Sequence, residues 1–409
     1  MLKAIKKHIS TKNMILFIIF IFSLSVRLYF AFAFPNNPHQ HDTPITLKTA
    51  TSGHLGNIVY MHDHPFQFPV NYADWQNYHP PLHYIIGACY YFIADFLHTD
   101  PIVTITVFLI IQNVMLFFLA RKLFDDEMLP IIIFMLYPMN VMVSQFLNND
   151  GTFFFFACFS LYFMYKWEKN QSLKNTILMA LFTMLATITK KNGYYIILTA
   201  FLLVIWKLCE TIIKSKKEKI KFPWKLWCLM TISYIAIVAP LPIAVAIDKY
   251  KTYGQSFLYT PDMWFLTKLT KGFSFINPIS IFKDPFLGTF SQYDLSTKAH
   301  SAFEYLFKSS MFGEWEFKVT VLTYFIIIAN FIIWGWTFLN FFRLPKTYML
   351  FFFVTIFSMI YFIHKLPYWQ SAHFRYILPV LIPMAWTFKK ENFVYWKNKF
   401  TRKKEPDFS

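Results

Sequence analysis

Residues 14–34 read MILFIIFIFSLSVRLYFAFAF, and residues 35–84 continue PNNPHQHDTPITLKTATSGHLGNIVYMHDHPFQFPVNYADWQNYHPPLHY. The first run is long and apolar enough to cross a hydrocarbon core, which takes about 20 residues of helix. The second is crowded with His, Asp, Pro and aromatic side chains. A titratable loop beside a first span predicts chemistry at a membrane surface. The basic stretch MLKAIKKHISTKN at residues 1–13 resembles the start of a signal peptide. The apolar run behind it is too long for one, and no small-residue cleavage site follows. The expectation is an uncleaved span with its basic end inside.

The remainder of the chain is of the same kind. Of its 409 residues, 56% are hydrophobic, 21% aromatic and only 15% charged, with a mean hydropathy of +0.39. A soluble fold of this length needs far more charged surface, so the composition indicates a single polytopic, all-α membrane domain over residues 1–409. The net charge of +17 fits cationic loops facing a cytoplasm and anionic lipid. Nucleic-acid binding is not expected, because Lys and Arg sit in short loops between spans rather than on one face. Cys89, Cys158, Cys209 and Cys228 form no CxxC pair and are expected as buried free thiols.

Ten segments qualify as spans: 14–34, 101–119, 129–146, 152–167, 176–189, 194–208, 226–247, 320–342, 349–364 and 377–388. With the N-terminus inside, the basic segments 121–122, 166–174, 214–225, 343–346 and the tail after 389 all fall inside. This requires residues 82–97 to be an outer juxtamembrane or re-entrant helix, since a further crossing would place most basic loops outside. The outer side then receives 35–100, the turns at 148–151 and 190–193, the loop 248–317, and 365–376. Loop 35–100 is expected to be catalytic and loop 248–317 a lid or acceptor region, with 389–409 a solvated cytoplasmic tail. Lys190, Lys191 and Arg375 lie on the outer side against the usual bias.

Several of these outer residues suit chemistry. Asp42, just beyond the first span, can act as a general base toward a hydroxyl; a turn Asp is the plainer alternative. His79 stands ahead of Pro80-Pro81-Leu82, a rigid helix start, where helix amides favour an anion. Lys190-Lys191-Asn192-Gly193 and His373-Phe374-Arg375-Tyr376 place cations where a lipid phosphate can be held; headgroup anchoring is the alternative. Asn148-Asn149-Asp150-Gly151 reads as a tight outer turn. Glu314 and Glu316 are candidate sugar contacts. The His/Asp cluster of His39, His41, Asp42, His54, His62, Asp63 and His64 has no spacing of a recognised metal motif, so a divalent metal there is the lesser alternative and no other cofactor is expected.

Taken together, these pieces resemble the polytopic GT-C glycosyltransferases, in the family 39 branch with protein O-mannosyltransferases and aminoarabinose transferases. The similarity lies in Asp42 after the first span, GHLGNIVYM before QNYHPPLHYIIGA, YPMNVMVSQFLNNDGTFFFF, ATITKKNGYYIIL and HFRYILPVLIP, in that order. Bacterial members with a YHPPL block are the nearest in pattern. The resemblance implies a GT-C-like bundle of about ten transmembrane helices with outer juxtamembrane helices in the first loop. It also implies inverting transfer of a sugar from a polyprenyl-phosphate donor to a glycan, lipid or protein acceptor on the extracytoplasmic face of a bacterial plasma membrane. Both termini would be cytoplasmic. Asp42 then matches the catalytic base. Lys190, Lys191 and Arg375 match the phosphate site, with His79 where aminoarabinose transferases carry Lys. His41, His54, Tyr78, Asn149 and Asp150 are expected to line the substrates.

Two departures matter. Protein mannosyltransferases carry Asp-Glu at the catalytic position, whereas Asp42 is followed by Thr43, and their large soluble domain has no counterpart here. The acceptor therefore stays open. The alternative function is a transporter or flippase of a lipid-linked sugar, which calls for broken helices, mid-membrane charge and repeated halves. Arg27 is one mid-span charge, and no internal repeat is seen.

Overall fold

The computed structural model describes residues 11–33, 53–65, 67, 79–254, 278–287, 301–313, 315, 317–367 and 369–402. Those residues are helical with short connections, and no strand occurs among them. In chain order the helices are α1 Thr11–Ala33, α2 Gly53–Asp63, α3 Leu82–Leu97, α4 Pro101–Leu123, α5 Met128–Leu136, α6 Pro138–Val143, α7 Asn149–Lys169, α8 Leu173–Thr187 and α9 Gly193–Glu218. They continue with α10 Trp224–Val238, α11 Pro240–Tyr253, α12 Pro278–Lys283, α13 Ala302–Phe312, α14 Val321–Leu339, α15 Lys346–Lys365, α16 Leu381–Trp386 and α17 Lys390–Arg402. Among the described residues, six segments are long and apolar enough to cross a bilayer: α1, α4, α9, α10 with α11, α14 and α15. Further apolar helices are shorter, including α3, α8 and Phe374–Trp386. The chain is therefore a polytopic helical membrane protein.

Local chemistry sets the helix starts. Asp100 caps α4, accepting from the Ile102 and Val103 amides at 2.7 and 3.3 Å, with Pro101 in the first position where its missing N–H costs nothing. Asn148 caps α7 through the Asp150 amide at 3.0 Å, and Ser301 caps α13 through the Glu304 amide at 3.1 Å. The expected span at 129–146 is instead broken at Tyr137, because Pro138 cannot donate to the Phe134 carbonyl. The freed carbonyls are satisfied by side chains, as hydrocarbon demands. Asn140 Nδ2 donates to Phe134 O at 2.7 Å, and Arg27 Nη2 donates to Met135 O at 2.8 Å. The mid-span Arg27 is 1% exposed and also reaches Ser23 Oγ at 2.6 Å and Asn113 Oδ1 at 3.4 Å.

The bundle has two distinct ends. At one, Lys389 pairs with Asp125 at 2.5 Å, Arg121 with Asp126 at 2.6 Å, and the Lys346 and Thr347 amides with Glu168 at 3.2 and 2.9 Å. These are the basic connections expected to lie on one side. At the other end, the Leu82 amide donates to Ile188 O at 3.0 Å, joining the start of α3 to the end of α8. The Asn192 side chain reaches Tyr376 O at 3.1 Å. Helix α3 is 16 residues, about 24 Å at 1.5 Å per residue; that falls short of the roughly 30 Å hydrocarbon core.

One sequence expectation is corrected: the cysteines are not all buried. In the expected tail, α17 touches the bundle through Arg343–Asn392 at 2.7 Å and Trp396–Asn340 at 2.9 Å, with Trp336 and Phe393 stacked at 4.7 Å, while most of its residues stay exposed. Within 248–317, α13 packs into the bundle. Its residues Glu304 to Phe312 are buried, and Glu304 and Lys308 form a buried ion pair at 2.9 Å. Of the cysteines, only Cys158 is buried; Cys89, Cys209 and Cys228 are exposed on the helix surface.

Candidate functional site

The end opposite those basic connections brings five separate segments to one place. At the centre is Asp150 in the first turn of α7, 2% exposed. A helix N-terminus favours a carboxylate there. Lys190 Nζ bonds Asp150 Oδ1, and Arg375 Nε lies 3.7 Å from Asp150 Oδ2. Tyr376 covers both cations, with its ring centroid 4.8 Å from Lys190 Nζ and 5.0 Å from the Arg375 guanidinium carbon. Two positive groups around one buried carboxylate leave a net positive charge in a low-dielectric setting.

Lys190 is placed by the turn between α8 and α9. The Gly193 amide donates to Lys190 O at 2.9 Å, and a Cβ on Gly193 would lie 2.4 Å from Thr187 Cα. Only glycine allows α9 to start this close to the end of α8. Asn149 Nδ2 donates to Thr189 O at 3.4 Å, tying the same turn to α7. Arg375 arrives on the 3₁₀ segment Phe374–Val380, where Pro379 prevents a regular α-helix. That segment is braced by α13, whose Ser309 Oγ accepts from the Phe374 amide at 3.0 Å.

Beside the ion cluster sits a histidine group. His54 in α2 stacks on His79 at 5.4 Å and stands edge-on to His83 at 6.4 Å. Tyr84 Oη lies 3.0 Å from His54 Nδ1. His83 Nε2 lies 3.1 Å from Leu147 O and its Nδ1 lies 3.0 Å from Thr152 Oγ1. A carbonyl only accepts, so Nε2 carries the proton and Nδ1 accepts from the Thr152 hydroxyl. His54 and His79 are held well below the usual imidazole range: burial dominates in both, followed by neighbouring histidines and Lys190. Both are neutral near pH 7.

Lys191 lies one residue beyond Lys190 but is only partly buried. Its ammonium is lowered to about 8, first by burial and then by the charge of Lys249 near the end of α11. Next to it opens an apolar cavity of about 720 Å³ between α8, α9, α10 and α11, lined by Tyr194, Phe201, Leu208, Trp227, Tyr234 and Pro242 among others. From Tyr194 to Leu208 it follows α9 for about 21 Å, most of the hydrocarbon depth.

Several expected site residues thus come together: His54, His79, Asn149, Asp150, Lys190, Lys191 and Arg375. Asp42, His41 and Tyr78 lie outside the described residues, as do His39, Glu314 and Glu316. Other members of the His/Asp cluster are elsewhere. His62 bridges Asp63 at 2.8 Å and Asp95 at 2.7 Å, and His64 stacks on Tyr60. Among the described residues no group of three or more His, Cys, Asp or Glu is arranged to hold a metal. Sequence reasoning missed His83, Tyr84 and Lys249. The spacing of His83 four residues after His79 was a usable signal, as was Lys249 standing at the outer end of a span.

The fold and site define a polytopic membrane protein with a buried, cation-rich polar site beside an intramembrane apolar groove. Residues 78–241 match the family described as dolichyl-phosphate-mannose-protein mannosyltransferase, a stretch shorter than half of the chain. It contains His79, His83, Asp150, Lys190, Lys191 and most of the groove. This similarity supports a membrane glycosyltransferase. No curated protein sequence matches the chain.

Proposed function

We propose that the protein transfers a sugar from a polyprenyl-phosphate donor to an acceptor hydroxyl at the extracytoplasmic face of the membrane. The observation that carries this reading is the apolar groove, about 720 Å³, lined by Tyr194 three residues after Lys191, beside the Asp150–Lys190–Arg375 cluster. A polyprenyl chain fits a long apolar groove within a bilayer, and a phosphate fits cations at its mouth. The family matched over residues 78–241 takes a lipid-phosphate-linked sugar by its description, which agrees.

In the proposed reaction the acceptor oxygen bonds to the anomeric carbon while the bond from that carbon to the phosphate oxygen breaks. The acceptor proton passes to a carboxylate, and the polyprenyl phosphate leaves with the electron pair. Asp42 is the proposed base, on its match to the position seen in similar proteins. The ion-paired Asp150 suits that role poorly, since Lys190 and Arg375 already stabilise its charge and make it a weak proton acceptor. Cations fixed before the reaction stabilise the growing charge on the leaving phosphate.

A transporter of a lipid-linked sugar is the second reading, favoured by the helix break at Pro138 and the buried Arg27. Here the carbonyls exposed by that break are filled by Asn140 and Arg27. Purified protein separates the two readings: an enzyme transfers sugar from a labelled donor in detergent, and a transporter moves the donor across vesicles without cleaving it.

A further inference from the structure

We infer that α17 is an interfacial helix that binds anionic phospholipid at the end of the bundle carrying the basic connections, with its aromatic face against the acyl chains and its lysines among the headgroups. The surface lies opposite the Asp150 cluster and does not depend on the reaction proposed there.

The position of α17 follows from its contacts. Lys389, just ahead of it, pairs with Asp125 at 2.5 Å, two residues after α4 ends. Asn392 Oδ1 accepts from Arg343 Nε at 2.7 Å, and the Trp396 indole donates to Asn340 Oδ1 at 2.9 Å. Asn340 directly follows α14, and Arg343 stands three residues ahead of α15. Helices α4, α14 and α15, all long and apolar enough to cross a bilayer, thus have their ends where α17 lies. A helix at that level runs along the boundary between hydrocarbon and headgroups.

The sequence KENFVYWKNKFTR suits that boundary. At about 100° per residue, Phe393, Trp396 and Phe400 fall within about 60° of one another. Lys390 and Lys397 flank this face on one side and Lys399 on the other. Phe393 begins the face against the bundle, stacked on Trp336 at 4.7 Å. Phe400, 5.8 Å from Trp396, carries the face past the bundle and is 65% exposed. At the same end, Leu339 and Phe342 are 62% and 85% exposed. Such side chains are unfavourable in water and ordinary in the aromatic belt at a membrane interface.

Charge selects the lipid. The helix carries Lys390, Lys397, Lys399 and Arg402 against one acid, Glu391, and the three lysines are exposed. Lys399 Nζ lies 4.8 Å from the Trp396 ring centroid, so its stem runs beside the aromatic face while the ammonium reaches the headgroup layer. Basic side chains at this depth attract anionic lipid, whereas a zwitterionic headgroup offers them no net charge.

The test is hydrogen–deuterium exchange of residues 390–402 in purified full-length protein, in nanodiscs of phosphatidylcholine or of an equal mixture of phosphatidylcholine and phosphatidylglycerol. In the wild type, exchange should be at least roughly tenfold slower with phosphatidylglycerol, and high salt should shrink the difference. Lys397→Gln/Lys399→Gln should abolish the difference between the two membranes while leaving exchange in α14 and α15 unchanged. Phe400→Ser should speed exchange of α17 in both membranes. Equal wild-type exchange in the two membranes overturns the lipid assignment and leaves the face to a protein partner. A difference that survives intact in the double lysine variant overturns the role given to these side chains.

Discussion

Lys190 Nζ bonds Asp150 Oδ1 across the junction of α7 and the α8–α9 turn, joining residues 40 positions apart, both almost wholly buried. Arg375 also faces Asp150, so removing Asp150 strands two cations in a low dielectric, which costs about 3–5 kcal/mol, whereas removing Lys190 leaves Asp150 with Arg375. Asp150→Asn should lower thermal stability sharply in detergent and Lys190→Met less so, and the Asp150→Asn/Lys190→Met double variant should recover part of the Asp150→Asn loss. Additive losses in the double variant would show that the pair is not coupled.

Gly193 holds that turn closed. An added Cβ would meet the Thr187 backbone at 2.4 Å from its Cα and 2.6 Å from its nitrogen, distances the backbone must move to relieve. Gly193→Ala is expected to displace both Lys190 and Lys191, with loss of stability and of lipid-phosphate binding together. Unchanged binding and melting in this variant would contradict the close approach.

Acid should destabilise the site. His54 and His79 resist protonation when folded because they are buried, His54 beside His83, Lys190 and Arg375, and His79 beside His54, Lys190, Lys191 and Lys249; Asp150 opposes the effect on His54. The unfolded chain takes up protons below about 6.5, so it binds more protons than the native state as pH falls through that value. Stability is therefore full above about 6.5 and declines below it, by at most about 1.4 kcal/mol per pH unit for each histidine. Melting between pH 7.5 and 5.5 should show the drop, with a smaller slope in His79→Asn. A slope of the opposite sign would mean that these imidazoles are charged in the native protein.

Lys191 gives a signature at the alkaline side. With its ammonium lowered to about 8 by burial and Lys249, polyprenyl phosphate affinity should hold between about pH 7 and 7.5 and weaken as pH rises past 8. Lys191→Arg should push the decline to higher pH, since guanidinium stays charged. An identical profile in that variant would show that Lys191 does not hold the lipid phosphate.

Much of the architecture was legible because membranes enforce simple rules. The helix Leu82–Leu97 was legible from Pro80-Pro81 at its start and Asp95 near its end. The gathering of basic segments at one end of the bundle followed from their charge. What resisted reading depended on side chains meeting across the fold. The run 129–146 looks like one span, and only the pairing of Arg27 and Asn140 with its carbonyls shows how a break at Pro138 is tolerated. The loop 248–317 reads as a lid or acceptor region, and the pairing of Glu304 with Lys308 that lets α13 enter the bundle shows only in the fold. Asp150 reads as a turn residue until Lys190 and Arg375 are seen to converge on it. Lys249 is a single lysine in a long loop until its charge is seen to bear on Lys191.

The proposed function is tested most directly by incubating purified protein with a polyprenyl-phosphate-linked labelled sugar and an acceptor panel, comparing wild type with Asp42→Asn and scoring polyprenyl phosphate binding for both. The expected result is sugar transfer by wild type, none by Asp42→Asn, and equal lipid binding by the two. Transfer by Asp42→Asn at the wild-type rate would contradict Asp42 as the base. Movement of intact donor across vesicles by wild type, with no sugar transferred to any acceptor, would contradict the enzyme altogether.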